Sequence, residues 1–226
     1  MSPRVTRHWI LWVISLFVPA AASAQAAVDS AATIAPDSVA RALLADVLLM
    51  KSPPARYTRY ATINNFTGAV LPGYEGNRAY LRREAAVALA RVQHRLLTGG
   101  MGLKVFDGYR PVRATLGMVA WAERTGQRHL IEDGYIASHS RHNLGLAVDL
   151  TLVDWSMGGR EVDMGTPYDT FSESAHYANA AGRTLRYRQL LRRVMEEEGF
   201  RQYDQEWWHY SYQMAGEAMA FDMVVR

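Results

Sequence analysis

His142 and Asp149 lie seven residues apart in the stretch SHSRHNLGLAVDL, and Glu206 and His209 lie three apart in EWWHY. Imidazole and carboxylate groups hold catalytic zinc ions, which take three protein ligands and leave one position open. A further carboxylate beside such a centre can take up and return a proton, and the two tryptophans after Glu206 can keep water away from it. The chain has no cysteine, so a metal must be held by nitrogen and oxygen. His139 competes with His142 for the same centre. Donors to one metal must approach within about 3 to 4 Å of each other, whereas seven extended residues span roughly 23 Å. The chain must therefore fold back before Asp149, and Asn143 and Gly145 suit that reversal. Strand alternation would favour His139, at an even separation from Asp149, but a turn between them voids that rule. Spacing alone leaves both histidines open. His94, His129 and His176 show no paired carboxylate motif.

These residues need elements to position them. Asp37 and Ser38 can cap a helix through Val39, Leu43, Leu44, Val47 and Leu48, which Ser52-Pro53-Pro54 stops. Tyr57 to Phe66 reads as a short strand or loop. Asn77 opens a second expected helix, with Leu81, Ala85, Ala88, Leu89, Val92 and Leu96 at helical spacing until Gly99-Gly100. Leu103 to Phe106 predicts a strand delivering the turn DGYRP, Asp107 to Pro111, whose proline suits the first turn of a helix over 112–124. Gly145 to Val153 reads as a buried strand, Thr184 to Glu198 as a helix ended by Gly199, and Phe200 to Tyr203 with Trp207 to Tyr212 as a strand pair. Helices early and strands late predict an α+β domain, an antiparallel sheet flanked by helices.

The N-terminus has the layout of a secretory signal peptide. Arg4, Arg7 and His8 precede an apolar run from Trp9 to Val18, then Pro19 and an A-x-A site at Ala22-Ser23-Ala24. The run is shorter than the roughly 20 residues of a membrane span, and no cysteine is present for lipidation. The expected organisation is a signal peptide over 1–24, a mobile leader over 25–35 and one catalytic domain over 36–226, with no stable membrane anchor after cleavage and a periplasmic or secreted location. Cleavage would leave 226 − 24 = 202 residues, an ordinary size for a domain. Removing Arg4 and Arg7 leaves 23 basic residues against 22 acids, a charge of about +1 that suggests no nucleic-acid partner. Without disulfides the exported fold depends on its packing, and the twelve Tyr and the four Trp beyond the expected signal peptide suggest a well-packed core or a lined cleft.

Taken together, His142-x-x-Gly145-x-Ala147-x-Asp149 and Glu206-x-x-His209 resemble the zinc D-Ala-D-Ala dipeptidases, a branch of the D,D-peptidases. The similarity extends through Asn65-Phe-Thr-Gly68, Gly73-Tyr-Glu-Gly-Asn-Arg78, Asp107-Gly-Tyr-Arg-Pro111, Asp163-Met-Gly-Thr166 and Phe171-Ser-Glu-Ser174. The resemblance implies the zinc D,D-peptidase (hedgehog/DD-peptidase) fold and one Zn2+ per chain on His142, Asp149 and His209, with His139 outside the pattern. It implies Glu206 as the base and Arg110 as the group that stabilises the transition state. Asp169 is implied as the partner of the substrate ammonium, with Ser140 nearby and Asp163 as the competing acid. Tyr74, Tyr109 and the Trp207-Trp208 pair are candidates either to close a small pocket or to form core. The expected reaction is hydrolysis of the D-alanyl-D-alanine dipeptide in wall turnover and D-Ala recycling. A D,D-carboxypeptidase or other stem-peptide peptidase is the alternative within enzymes, and a non-catalytic zinc wall-binding module the alternative outside them.

Overall fold

A computed structural model describes residues 33–226. The expected signal peptide, and the leader up to Ala32, lie outside those residues. The chain opens with β1 (Ile34–Ala35), α1 (Asp37–Leu43), β2 (Leu44–Asp46), β3 (Ala55–Arg56), β4 (Tyr80–Arg82) and α2 (Arg83–Leu97). It continues with β5 (Met101–Asp107), α3 (Val112–Arg124), α4 (His129–Glu132), β6 (Ala147–Asp154) and β7 (Arg160–Glu161). It ends with α5 (Gly182–Glu196), β8 (Phe200–Tyr203), β9 (Glu206–Tyr212) and β10 (Ala220–Phe221).

The main sheet runs β3-β5-β6-β9-β8, with β7 on the far part of β6. Only the β3–β5 pair is parallel, so the fold is α+β around a largely antiparallel sheet, as the sequence predicts. β6 lies at its centre, and all but the last of its residues are buried, as suits a strand that is apolar or β-branched apart from Asp149 and the terminal Asp154. Ala85, Leu89 and Val92 of α2 and Leu191, Val194 and Met195 of α5 belong to the same core as Leu150 and Leu152 of β6. Both helices repeat apolar residues at three- and four-residue steps, which makes one stripe for the core. Among the described residues no helix is long and apolar enough to cross a membrane.

Three sequence expectations change. The first helix stops at Leu43 instead of continuing to Leu48, because Leu44 to Asp46 pair antiparallel with Tyr80 to Arg82. The second helix begins at Arg83 instead of Asn77 for the same reason: Leu81 keeps the apolar period but is drawn into the ladder. Ile34 and Ala35, expected in the leader, pair with Ala220 and Phe221, so the folded domain starts before Pro36.

Candidate active site

β5, β6 and β9 set one row of residues across the sheet, because Asp149 faces Asp107 on one side and His209 on the other. Direct cross-strand partners point to the same face. Asp107 gains this place through a register shift after Val105; without it Phe106 would stand opposite Asp149. A second irregularity concerns Glu206 and His209, which strict alternation would send to opposite faces. One step along β8, Gln202 to Tyr203, spans Tyr210 to Glu206 on β9. Glu206 Oε2 thereby comes to 3.8 Å from His209 Nδ1.

His142 comes from a 3-10 turn, Arg141–Leu144, placed just before β6. Ser140 caps it: its Oγ accepts from His142 N, and the Asn143 side chain accepts from Ser140 N. Gly145 ends it at φ 68°, where a Cβ would also stand 2.5 Å from Leu44 Cδ2. Left-handed backbone and close contact both demand glycine here. The reversal expected of this segment is therefore made by Gly145, while Asn143 contributes hydrogen bonds and not a left-handed backbone. Asn143 Nδ2 donates to Arg110 O and Thr115 Oγ1, and Arg110 N donates to His142 O. The turn carrying His142 and the turn carrying Arg110 are thus stitched together.

His142 Nε2, His209 Nδ1 and Asp149 Oδ1 are mutually separated by 3.2, 3.0 and 3.3 Å. Tetrahedral donors with bonds near 2.0–2.1 Å to one ion stand about 3.3 Å apart, so this triangle fits a zinc ion with one side left open. These three residues form the single group of metal-ligating side chains found among the described residues. The imidazole protons suit the role. His142 Nδ1 lies 2.6 Å from Gly108 O, and a carbonyl only accepts, so Nδ1 carries the proton and Nε2 offers its lone pair. His209 Nε2 meets Ser211 Oγ at 3.2 Å, leaving Nδ1 for the centre, and burial lowers the pKa of His209, which favours the neutral ring. His139 is exposed beside Ser138 and takes no part.

Arg110 is 11 % exposed and lies between two carboxylates, with Nε donating to Asp107 Oδ2 at 3.0 Å and Nη2 3.6 Å from Asp149 Oδ2. Its guanidinium also covers the Tyr60 ring at 5.0 Å. Tyr74 OH donates to the other oxygen of Asp107 at 2.6 Å. Glu206 is buried, and burial followed by the charges of Asp149 and Asp169 raises its pKa well above the usual carboxylate range, against the opposing charge of Arg110.

Asp169 adopts φ 62°, the one positive value outside glycine among the described residues. Its Oδ1 lies 3.0 Å from Tyr60 OH, Tyr60 OH 3.0 Å from Tyr168 OH, and Tyr168 OH 2.9 Å from Asp149 Oδ2. Tyr60 OH donates to Asp169, while burial, ahead of the charge of Asp149, pushes the Asp169 pKa up to about 8. Asp169 Oδ2 is buried without a partner. Asp163, by contrast, is exposed and accepts from Gly165 N in a turn. Ser140 Oγ serves as the cap described above, with its hydroxyl proton still free to be given. Tyr74, Tyr109, Trp207 and Trp208 are buried core residues. The aromatic residues at the centre are Tyr60 and Tyr168, which motif spacing does not mark because their partners are distant in sequence.

A sequence profile of the D-Ala-D-Ala dipeptidase family of peptidases matches residues 42–224. A D-alanyl-D-alanine dipeptidase of Enterococcus faecium is 37% identical over 167 residues, covering 67% of this chain and 82% of that one. One of Streptomyces coelicolor is 36% identical over 173 residues, covering 68% and 83%. One of Escherichia coli is 30% identical over 154 residues, covering 67% and 75%. Among solved structures, a vancomycin-resistance D,D-pentapeptidase in complex with Zn(II) overlaps 63% of this chain and 77% of that one, with a TM-score of 0.39 at 19% identity. With a match across most of the folded domain, the chain belongs to the D-Ala-D-Ala dipeptidase family of peptidases.

Proposed function

We propose that this protein is a zinc dipeptidase that hydrolyses D-alanyl-D-alanine to two D-alanines, with one ion held by His142, Asp149 and His209. The observation that carries the reading is the triangle of three donor atoms 3.0–3.3 Å apart with buried Glu206 beside it. A zinc ion at such a site supplies a Lewis acid for the scissile carbonyl and lowers the pKa of water toward about 7. Glu206 takes the proton of the attacking water and passes it to the departing amine nitrogen. A pure binding module has no need for that carboxylate. Arg110, permanently charged, offsets negative charge growing on the carbonyl oxygen, and Asp107 keeps its guanidinium in place. Asp169, with its unpartnered oxygen, receives the substrate ammonium, whose positive charge favours the ionised carboxylate, and Ser140 offers a hydroxyl.

The deciding experiment follows D-alanine release from D-Ala-D-Ala, from L,D- and D,L-dipeptides and from intact muropeptide, before and after chelation and zinc return. The reading expects chelator-sensitive cleavage of the D,D-dipeptide. Turnover confined to muropeptide would replace it with a carboxypeptidase, and zinc binding without turnover would replace it with a binding module. The N-terminal layout supports export, and in that compartment D-Ala-D-Ala would come from wall turnover, its hydrolysis returning D-Ala. A mature N-terminus at Gln25 in a periplasmic or secreted fraction is expected; an uncleaved cytoplasmic protein would refute the location.

A further inference from the structure

His176 joins three parts of the molecule. Its backbone oxygen accepts from Arg188 Nη1 at 2.6 Å, and the same guanidinium donates to Met164 O at 2.9 Å and Ser174 O at 3.3 Å. Arg188 is 1% exposed and has no carboxylate partner among the described residues, so these carbonyl dipoles are what hold its charge. Its bonds fasten both ends of the segment 164–176, which carries Tyr168 and Asp169. The His176 side chain reaches the other way, its Nε2 lying 2.8 Å from Tyr135 OH on the loop after α4.

This contact continues a line of aromatic rings. Trp121 of α3 lies 4.9 Å from Phe66, Phe66 lies 5.0 Å from Phe171, and Phe171 lies 5.7 Å from Tyr135. These rings and His176 are half-buried, as expected of a wall with one face toward solvent. The two loops meet at the β8–β9 turn that leads into Glu206. Tyr177 N donates to Asp204 O, Gln205 Nε2 to Asp133 O, and Tyr203 OH to Gly134 O. The wall therefore spans from α3 to the entrance of β9, and Phe171 stands two residues beyond Asp169.

We infer that the Tyr135–His176 contact is a latch closing this wall behind the substrate's amino end, and that it sets the length limit of the substrate. The inference rests on the reading of Asp169 as the ammonium site. A peptide extended at its amino end replaces the ammonium with an amide and must continue past Asp169 into Phe171 and the latched loops. Tyr135 and His176 act here as specificity-determining residues and have no part in bond cleavage.

The test compares kcat/KM for D-Ala-D-Ala and L-Lys-D-Ala-D-Ala in the zinc-loaded wild type, Tyr135→Phe and His176→Ala, with zinc content and melting temperature measured alongside. Tyr135→Phe keeps the ring and removes one hydrogen bond, so the tripeptide-to-dipeptide ratio should rise about tenfold. His176→Ala, which also opens space, should raise it further, through a lower KM for the tripeptide and with the dipeptide rate held within about threefold. Should His176→Ala fail to fold, Tyr135→Phe carries the test alone. Ratios within about twofold of wild type in folded, zinc-loaded variants would overturn the latch. Equal wild-type rates on both peptides would overturn it too, while leaving the dipeptidase reading intact. No cleavage of D-Ala-D-Ala by the wild type would instead overturn the proposed function itself.

Discussion

At the scale of single residues, Glu206 and Asp169 make the sharpest claims. Glu206→Gln preserves shape but cannot carry the proton, so kcat should fall by about 10²- to 10⁴-fold with zinc content unchanged. Metal analysis beside the kinetics checks both halves, and unaltered kcat would remove Glu206 from the mechanism. Asp169 is pushed up to about 8 in the metal-free protein, against about 3.9 for an unfolded aspartate. Its folded form keeps a proton that the unfolded chain releases, so stability is highest below the unfolded value and declines as pH rises toward about 8. Asp169→Asn should flatten that decline in urea melts of the zinc-stripped protein; an unchanged slope would point to another group. His142, Asp149, Glu206, His209 and Arg110 were legible in sequence because each sits in a short motif. Tyr60 was not, since it meets Asp169 across 109 positions of chain, and Arg188 was not, since its partners are backbone carbonyls that no side-chain pattern announces.

At the scale of elements, the turn before β6 is the most exacting piece. Gly145→Ala meets both an unfavourable left-handed backbone and Leu44, and should cost about 1–3 kcal/mol with a disproportionate loss of zinc affinity. Thermal melts and metal titration measure the two effects. Adding Leu44→Ala should restore part of the lost zinc affinity by relieving the contact, while the backbone strain stays and the core loses a buried side chain, so stability falls further. Full zinc affinity in Gly145→Ala would mean that the turn does not govern the ligand. The strands β5, β6, β8 and β9 and the helices α3 and α5 could be read from local pattern and punctuation. The starts of α2 and β4 could not, because the β2–β4 ladder competes with helical periodicity and wins through pairing between segments more than thirty residues apart.

At the scale of the whole molecule, a zinc ion at a thousandfold its dissociation constant would stabilise the fold by about 4 kcal/mol. For a domain of this size that corresponds to a melting temperature higher by on the order of 10 °C. Calorimetry with and without chelator tests this, and coincident melts would mean that zinc is not bound by the fold. The α+β class followed from the order of helical and strand patterns, whereas the pairing of Ile34 and Ala35 with β10 and the closure around the site depend on partners that only the fold brings together. The row linking β6 to β9 also has a mechanical consequence. Asp149 and His209 are sixty positions apart, and a metal joining them would close a loop of that length in a chain without a single cysteine. A covalent bridge of that span would limit the unfolded chain by about 4 kcal/mol. The ion would thus stand in for a disulfide, as a cross-link that an oxidising or reducing medium cannot make or break but that scarcity of zinc can.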